Sequence, residues 1–151
     1  MTISATTHLN LPGTARQALG FYRSVFGGEV AVTTYGELGM PAEAPDADRV
    51  VFGQLESVDG LRLMAYDVPG RTEAFAGTTA RSGGATVTDQ PFFVAVRGDT
   101  LEELTSYWDR LGEGATIVEP LAASAWSAGF GMLTDRFGVT WVLDVASSGG
   151  G

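Results

Sequence analysis

Two stretches of the chain carry the same spacing of apolar positions. Along Ala15 to Val30 (ARQALGFYRSVFGGEV), Ala15, Ala18, Leu19, Tyr22, Val25 and Phe26 recur at helical intervals. Along Leu101 to Ala115 (LEELTSYWDRLGEGA), Leu101, Leu104, Trp108 and Leu111 do the same. Each stretch carries an aromatic pair in the same place, Phe21-Tyr22 and Tyr107-Trp108, and each ends in glycine, which accepts left-handed C-terminal geometry. Thr14 is placed to cap the first helix, and Asp99 or Thr100 the second, with Glu102 or Glu103 completing a capping box.

Period-two alternation predicts strands on both sides of each helix. They fall at His8–Leu11, Glu29–Tyr35, Val50–Glu56 and Leu61–Asp67, then at Phe92–Arg97, Ala115–Val118, Gly129–Thr134 and Val139–Val145. Asp59-Gly60 and Phe137-Gly138 occupy turns between the closing strands of each half. Gly36 to Asp48 reads as a loop. Val68 to Gln90 reads as the least ordered part, long enough to link the halves or lie over a pocket. The chain is therefore one unit written twice. The expected fold class is α+β, two tandem βαβββ modules forming a curved mixed sheet around a cavity. Module 1 covers about residues 6–68, a linker 69–90 and module 2 residues 91–146, in a single domain 1–146. Ser147–Gly151 (SSGGG) reads as a disordered tail.

In four strands one register is uniformly apolar: Leu9 and Leu11; Leu61, Leu63 and Ala65; Phe92, Val94 and Val96; Val139, Trp141 and Leu143. Only the helices offer apolar stripes to match it, so that face packs on helices. The opposite register is mixed. It holds His8 and Asn10; Arg62, Met64 and Tyr66; Phe93, Ala95 and Arg97; Thr140, Val142 and Asp144. Apolar walls with a few polar groups suit a ligand site better than they suit a plain solvent face. Trp126 and Phe130 are candidates for a further pocket wall or for core. Arg62 and Arg97 are placed to hold an anionic group or, more simply, to pair with Asp144. His8 is the single histidine, and no carboxylate partner for it is evident in the sequence.

Composition narrows the classes. At 151 residues the chain suffices for one domain with a real core. It contains no cysteine, which removes disulfides and thiolate metal sites. Its net charge is −9, with nine arginines as its only basic residues and no basic cluster. That argues against nucleic acid and against anionic membrane surfaces as partners. No apolar run approaches the roughly 18 residues that span a bilayer. MTISATTHLNL has neither a basic region nor a long apolar stretch, so a cytoplasmic location is expected.

Three segments carry a resemblance. HLNLPGTARQALGFYRSVFGGEV resembles the opening, LRLMAYDVPG the end of the first half, and AWSAGFGMLTDRFGVTW the closing block of the PhnB-like branch of the vicinal oxygen chelate superfamily. This is the glyoxalase/bleomycin-resistance/dioxygenase group. The resemblance implies paired βαβββ modules, a cavity and commonly a homodimer. Metal-dependent members hold a divalent cation with four side chains, one from the first and one from the last strand of each module. Carried over by position, these are His8, Met64, Phe93 and Val142, with His8 equivalent to Phe93 and Met64 to Val142. Only His8 ligates a borderline cation well, while Phe and Val offer nothing. The expectation is therefore a metal-free small-molecule-binding protein without a cofactor. The alternatives are a drug-sequestering resistance protein of the bleomycin type and a metal-dependent lyase, isomerase or dioxygenase.

Overall fold

The computed structural model describes residues 3–146, and the tail expected at 147–151 lies outside them. The chain divides into two compact units, residues 1–75 and 76–151. The first unit contains β1 (Thr7–Leu11), α1 (Ala15–Phe26), β2 (Glu29–Thr34), β3 (Val50–Glu56) and β4 (Arg62–Asp67). The second contains β5 (Thr79–Ser82), β6 (Ala85–Thr88), β7 (Val94–Gly98), α2 (Leu101–Leu111), β8 (Thr116–Ala122), β9 (Phe130–Thr134) and β10 (Thr140–Val145).

The two units repeat one topology. In the first sheet the order is β1-β4-β3-β2, and in the second it is β7-β10-β9-β8. The outer pair β1/β4 is parallel and the rest of the first sheet is antiparallel. The pair β10/β7 is likewise parallel, with β9 antiparallel to its neighbours. Crossing back through a helix is what permits a parallel pair from so short a chain.

Each helix lies on the uniformly apolar register. Ala15, Ala18, Leu19, Tyr22, Val25 and Phe26 of α1 are all buried, as are Leu9, Leu55, Leu63 and Ala65 of the first sheet. Leu104 and Leu111 of α2 are buried, with Val94, Leu133, Trp141 and Leu143 of the second sheet. Phe92, expected in that core, precedes β7 and is half exposed, because the strand begins two residues later.

A glycine sits at the same place in both sheets. Gly53 of β3 is opposite Ala65, and Gly131 of β9 is opposite Leu143. A Cβ on Gly53 would lie 2.6 Å from Leu19 of α1 and 2.8 Å from the Ala65 carbonyl oxygen. A Cβ on Gly131 would lie 2.8 Å from Trp108 of α2. The missing side chain lets each helix seat a large residue against the strand.

The units start their helices differently. Thr100 Oγ1 accepts the Glu103 amide at 3.1 Å, an ordinary N-cap. Thr14, expected to do the same for α1, makes no side-chain cap bond. Asp67, at the end of β4, does so from a distance. Its Oδ1 accepts the amides of Gly13 (3.1 Å) and Ala15 (2.9 Å), and its Oδ2 accepts that of Val50 (2.9 Å). The carboxylate is buried, and its charge complements the positive end of the helix dipole. In the second unit the equivalent position is Val145.

Residues 79–88, read as poorly ordered, instead form the β5/β6 hairpin. Gly83 and Gly84 make its two-residue turn with φ of 60° and 81°. Positive φ at both positions is the demand of a type I′ turn, which two glycines meet without strain.

Candidate functional site

The register of each parallel pair settles which residues correspond. The Val68 amide donates to the Leu11 carbonyl, and the Ala146 amide to that of Gly98. Leu11 is opposite Asp67, and Gly98 opposite Val145. Counting back three residues equates His8 with Ala95 and Met64 with Val142. The expected equivalence of His8 with Phe93 is thus corrected. Phe93 precedes β7, and its place in the repeat falls to Ala95. His8 is directly opposite Met64, as Ala95 is opposite Val142.

On the first sheet the register away from α1 carries His8, Asn10, Gln54, Met64 and Tyr66. Gln54, Met64 and His8 form one cross-strand row, and Asn10 is opposite Tyr66 in the next. His8 Nδ1 is 3.1 Å from Asn10 Oδ1, so the bond has the imidazole N–H donating to the amide oxygen. The His8 ring also meets Tyr66 edge-on at 5.3 Å between centroids. His8 and Asn10 are exposed, Met64 and Tyr66 half-buried. Phe52 stands on the same face and is 42% exposed. Among the described residues, no helix or strand of the first unit lies over this face. Arg62 belongs to it in register but is exposed at its margin, 3.8 Å from Glu56.

Tyr35 donates its hydroxyl to the Asp67 carbonyl at 2.8 Å. Partial burial, with smaller contributions from Tyr66, Asp67 and Asp46 that outweigh Arg49, raises its pKa above the ordinary value. It is held as a neutral donor.

The second sheet differs. Arg97 and Asp144 pair at 2.9 Å, and the carboxylate raises the pKa of the guanidinium further. Arg97 is therefore engaged, as the simpler sequence reading has it. Thr140 is buried and bonded to the Thr134 hydroxyl at 2.8 Å. Met132, opposite Val142, is also buried, because the β5/β6 hairpin lies over it. The Thr86 hydroxyl is 3.8 Å from its sulfur. Arg81 reaches Glu119 Oε1 at 3.1 Å and lies over the Phe130 ring at 4.8 Å. Phe130 is therefore covered by this unit's own hairpin. Trp126, expected as wall or core, is not core. It follows β8 in a short turn and is 96% exposed. Asp135, missed in the sequence, is buried in the β9/β10 turn, where it accepts Trp141 Nε1–H at 2.9 Å and the amides of Phe137 and Val139.

The sequence profile of the Glyoxalase/Bleomycin resistance protein/Dioxygenase superfamily matches residues 10–143. The chain belongs to that superfamily. A curated relative, protein YjdN of Escherichia coli strain K12, is 25% identical over 145 residues, covering 91% of this chain and 92% of its own length. Protein PA1353 of Pseudomonas aeruginosa has a solved structure with a TM-score of 0.73 and 26% identity, covering 97% of this chain and 100% of that one. A Bacillus cereus structure described as a putative 3-demethylubiquinone-9 3-methyltransferase, PhnB protein, superposes with a TM-score of 0.69 at 24% identity, covering 95% and 100%.

The superfamily's metal enzymes raise the question whether these residues suit a divalent cation. They do not. The corresponding positions hold His8 with Met64 in one unit and Ala95 with Val142 in the other. One imidazole and one soft thioether fall short of the three or so hard or borderline ligands a catalytic site uses. Among the described residues no three His, Cys, Asp or Glu side chains are grouped to hold an ion.

Proposed function

We propose that this superfamily member is a metal-free small-molecule-binding protein whose ligand lies on the free face of the first sheet. One observation carries the reading. The row that would hold a cation in a glyoxalase-type enzyme is here a mixed surface of His8, Met64 and Gln54, flanked by Asn10, Tyr66 and Phe52. Its hydrogen-bonding groups are an imidazole, two amides and a phenol, and its apolar groups are large and adjacent. Such a surface takes up a planar or partly apolar molecule by stacking and directs it by a few hydrogen bonds. The reading includes a homodimer, as the resemblance implies, and a cytoplasmic location, as expected from the N-terminal sequence.

A thermal-shift screen over metabolites and drugs tests it. At least one compound raises the melting temperature in a saturable way, and Tyr66→Ala or Asn10→Ala weakens that response. A flat response across a broad panel would remove the proposal. Light scattering on the eluted protein tests the dimer, with a mass near that of one chain counting against it.

A further inference from the structure

Arg81 makes the side-chain contacts of a bound ligand, but to its own unit. Its Nε donates to Glu119 Oε1 at 3.1 Å, its Nη1 donates to the Thr86 hydroxyl at 2.8 Å, and its guanidinium carbon is 4.8 Å from the Phe130 centroid. A carboxylate at the edge of the guanidinium and an aromatic ring beneath it form a recognition pair for that cation. The repeat supplies an internal comparison. Gly53 and Gly131 correspond, so Phe130 corresponds to Phe52. Phe52 stands 42% exposed with no hairpin over it, while Phe130 is covered by Arg81.

The hairpin that delivers Arg81 is held from outside the sheet. The β5/β6 ladder is a separate two-stranded sheet that shares no backbone ladder with β8, β9 or β10. A two-stranded hairpin is marginal by itself in water. Its docking here runs through side chains: Arg81 on Glu119 and Phe130, and Thr86 on Met132. Val87 remains 71% exposed. A chain of net charge −9 also draws small cations toward it.

We propose that Glu119 and Phe130 form a guanidinium site that Arg81 fills in cis, and that a small organic guanidinium in solution competes for it and lifts the hairpin. This site is distinct from the free face of the first sheet, and it stands or falls without it.

Methylguanidinium chloride is the probe, with sodium chloride at equal ionic strength as the control. Arg81→Ala empties the site. Methylguanidinium then raises the melting temperature of R81A saturably, by about 3 °C at roughly ten times its Kd. Adding Glu119→Gln weakens that response about tenfold. In the wild-type protein the tethered arginine competes, so the same ion acts only at concentrations about a hundredfold higher. There it shifts the Arg81 Nε–H and the amides of Glu119, Phe130 and Met132 in 1H–15N spectra. The proposal is overturned if R81A responds to methylguanidinium no more than to sodium. Should R81A fail to fold, the wild-type titration decides alone. Saturable shifts at those four positions support the site, and their absence, or shifts confined to other residues, removes it.

Discussion

Single residues carry two predictions, and both concern the end of β4. Asp67 is a charged acceptor serving three amides in a buried place. Removing it leaves those donors unsatisfied and strips α1 of its anionic cap. Asp67→Ala should cost about 3 kcal/mol or more in urea unfolding. Asp67→Asn keeps one acceptor oxygen but turns a donor toward a donor, and should cost about 2 kcal/mol. A loss under about 0.5 kcal/mol for the alanine variant would mean that solvent satisfies those amides. Tyr35 predicts a pH effect. Its folded pKa is raised above the ordinary value by partial burial, with Tyr66 and Asp67 adding to the shift. Above that ordinary value, near pH 10, the folded chain binds more protons at this group than the unfolded one. Its stabilising contribution is therefore complete below about pH 10 and declines as pH rises through the folded pKa. Wild type should exceed Tyr35→Phe in urea midpoint at about pH 8, and the gap should shrink by about pH 11. A gap that stays constant across this range contradicts the assignment. Neither residue stood out in the sequence. Asp67 lies 52 residues from the helix it caps, and nearby Thr14 offered an adequate local explanation.

At the scale of elements, the paired glycines show why the repeat is structural before it is functional. Gly53 and Gly131 occupy one position of the repeat, and neither requires positive φ. Space is what they provide. At Gly53 one of the crowding atoms is the Ala65 carbonyl oxygen, which cannot rotate away. At Gly131 the neighbours are the Trp108 ring and the Leu121 backbone and Cβ. Alanine at either site should destabilise by about 1–3 kcal/mol, the usual cost of overpacking. Thermal unfolding checks this, and near-neutral behaviour at both sites would show that the helices slide freely over the sheets. These elements were largely legible in the sequence. Helical spacing located α1 and α2 closely, since a stripe of six apolar residues in α1 and four in α2 has one stable partner, a sheet face. Alternation likewise separated the buried register from the one carrying His8, Asn10, Met64 and Tyr66. The hairpin was lost because 23 residues of small and polar character look alike whether paired or not. Gly83-Gly84 between two β-compatible tetrads was the available signal.

For the whole molecule, the difference between the halves matters more than their likeness. The duplicated register puts His8 opposite Met64 in one unit and Ala95 opposite Val142 in the other. Spacing in the sequence suggested Phe93 instead, since alternation gives parity along a strand but not where the strand begins. Phe93 and Ala95 are two residues apart, one full period of that alternation, so parity alone does not choose between them. Only the hydrogen-bonded exit of each pair removes the ambiguity. The corrected set leads to the same chemical expectation, because alanine, like phenylalanine, offers no ligating atom. Nickel, zinc, manganese and iron should therefore be well below one per chain in protein purified without added metal. Incubation with EDTA followed by its removal should leave the melting temperature unchanged, because an ion that bound only the folded state would contribute RT ln(1 + [L]/Kd) to stability. A fall of several degrees on chelation, reversed by one of these ions, would place a cation on the His8 row and return the protein to the metalloenzymes of its superfamily. Replacing His8 with alanine then separates specific from adventitious metal, since only a site centred on that imidazole loses its ion with the side chain.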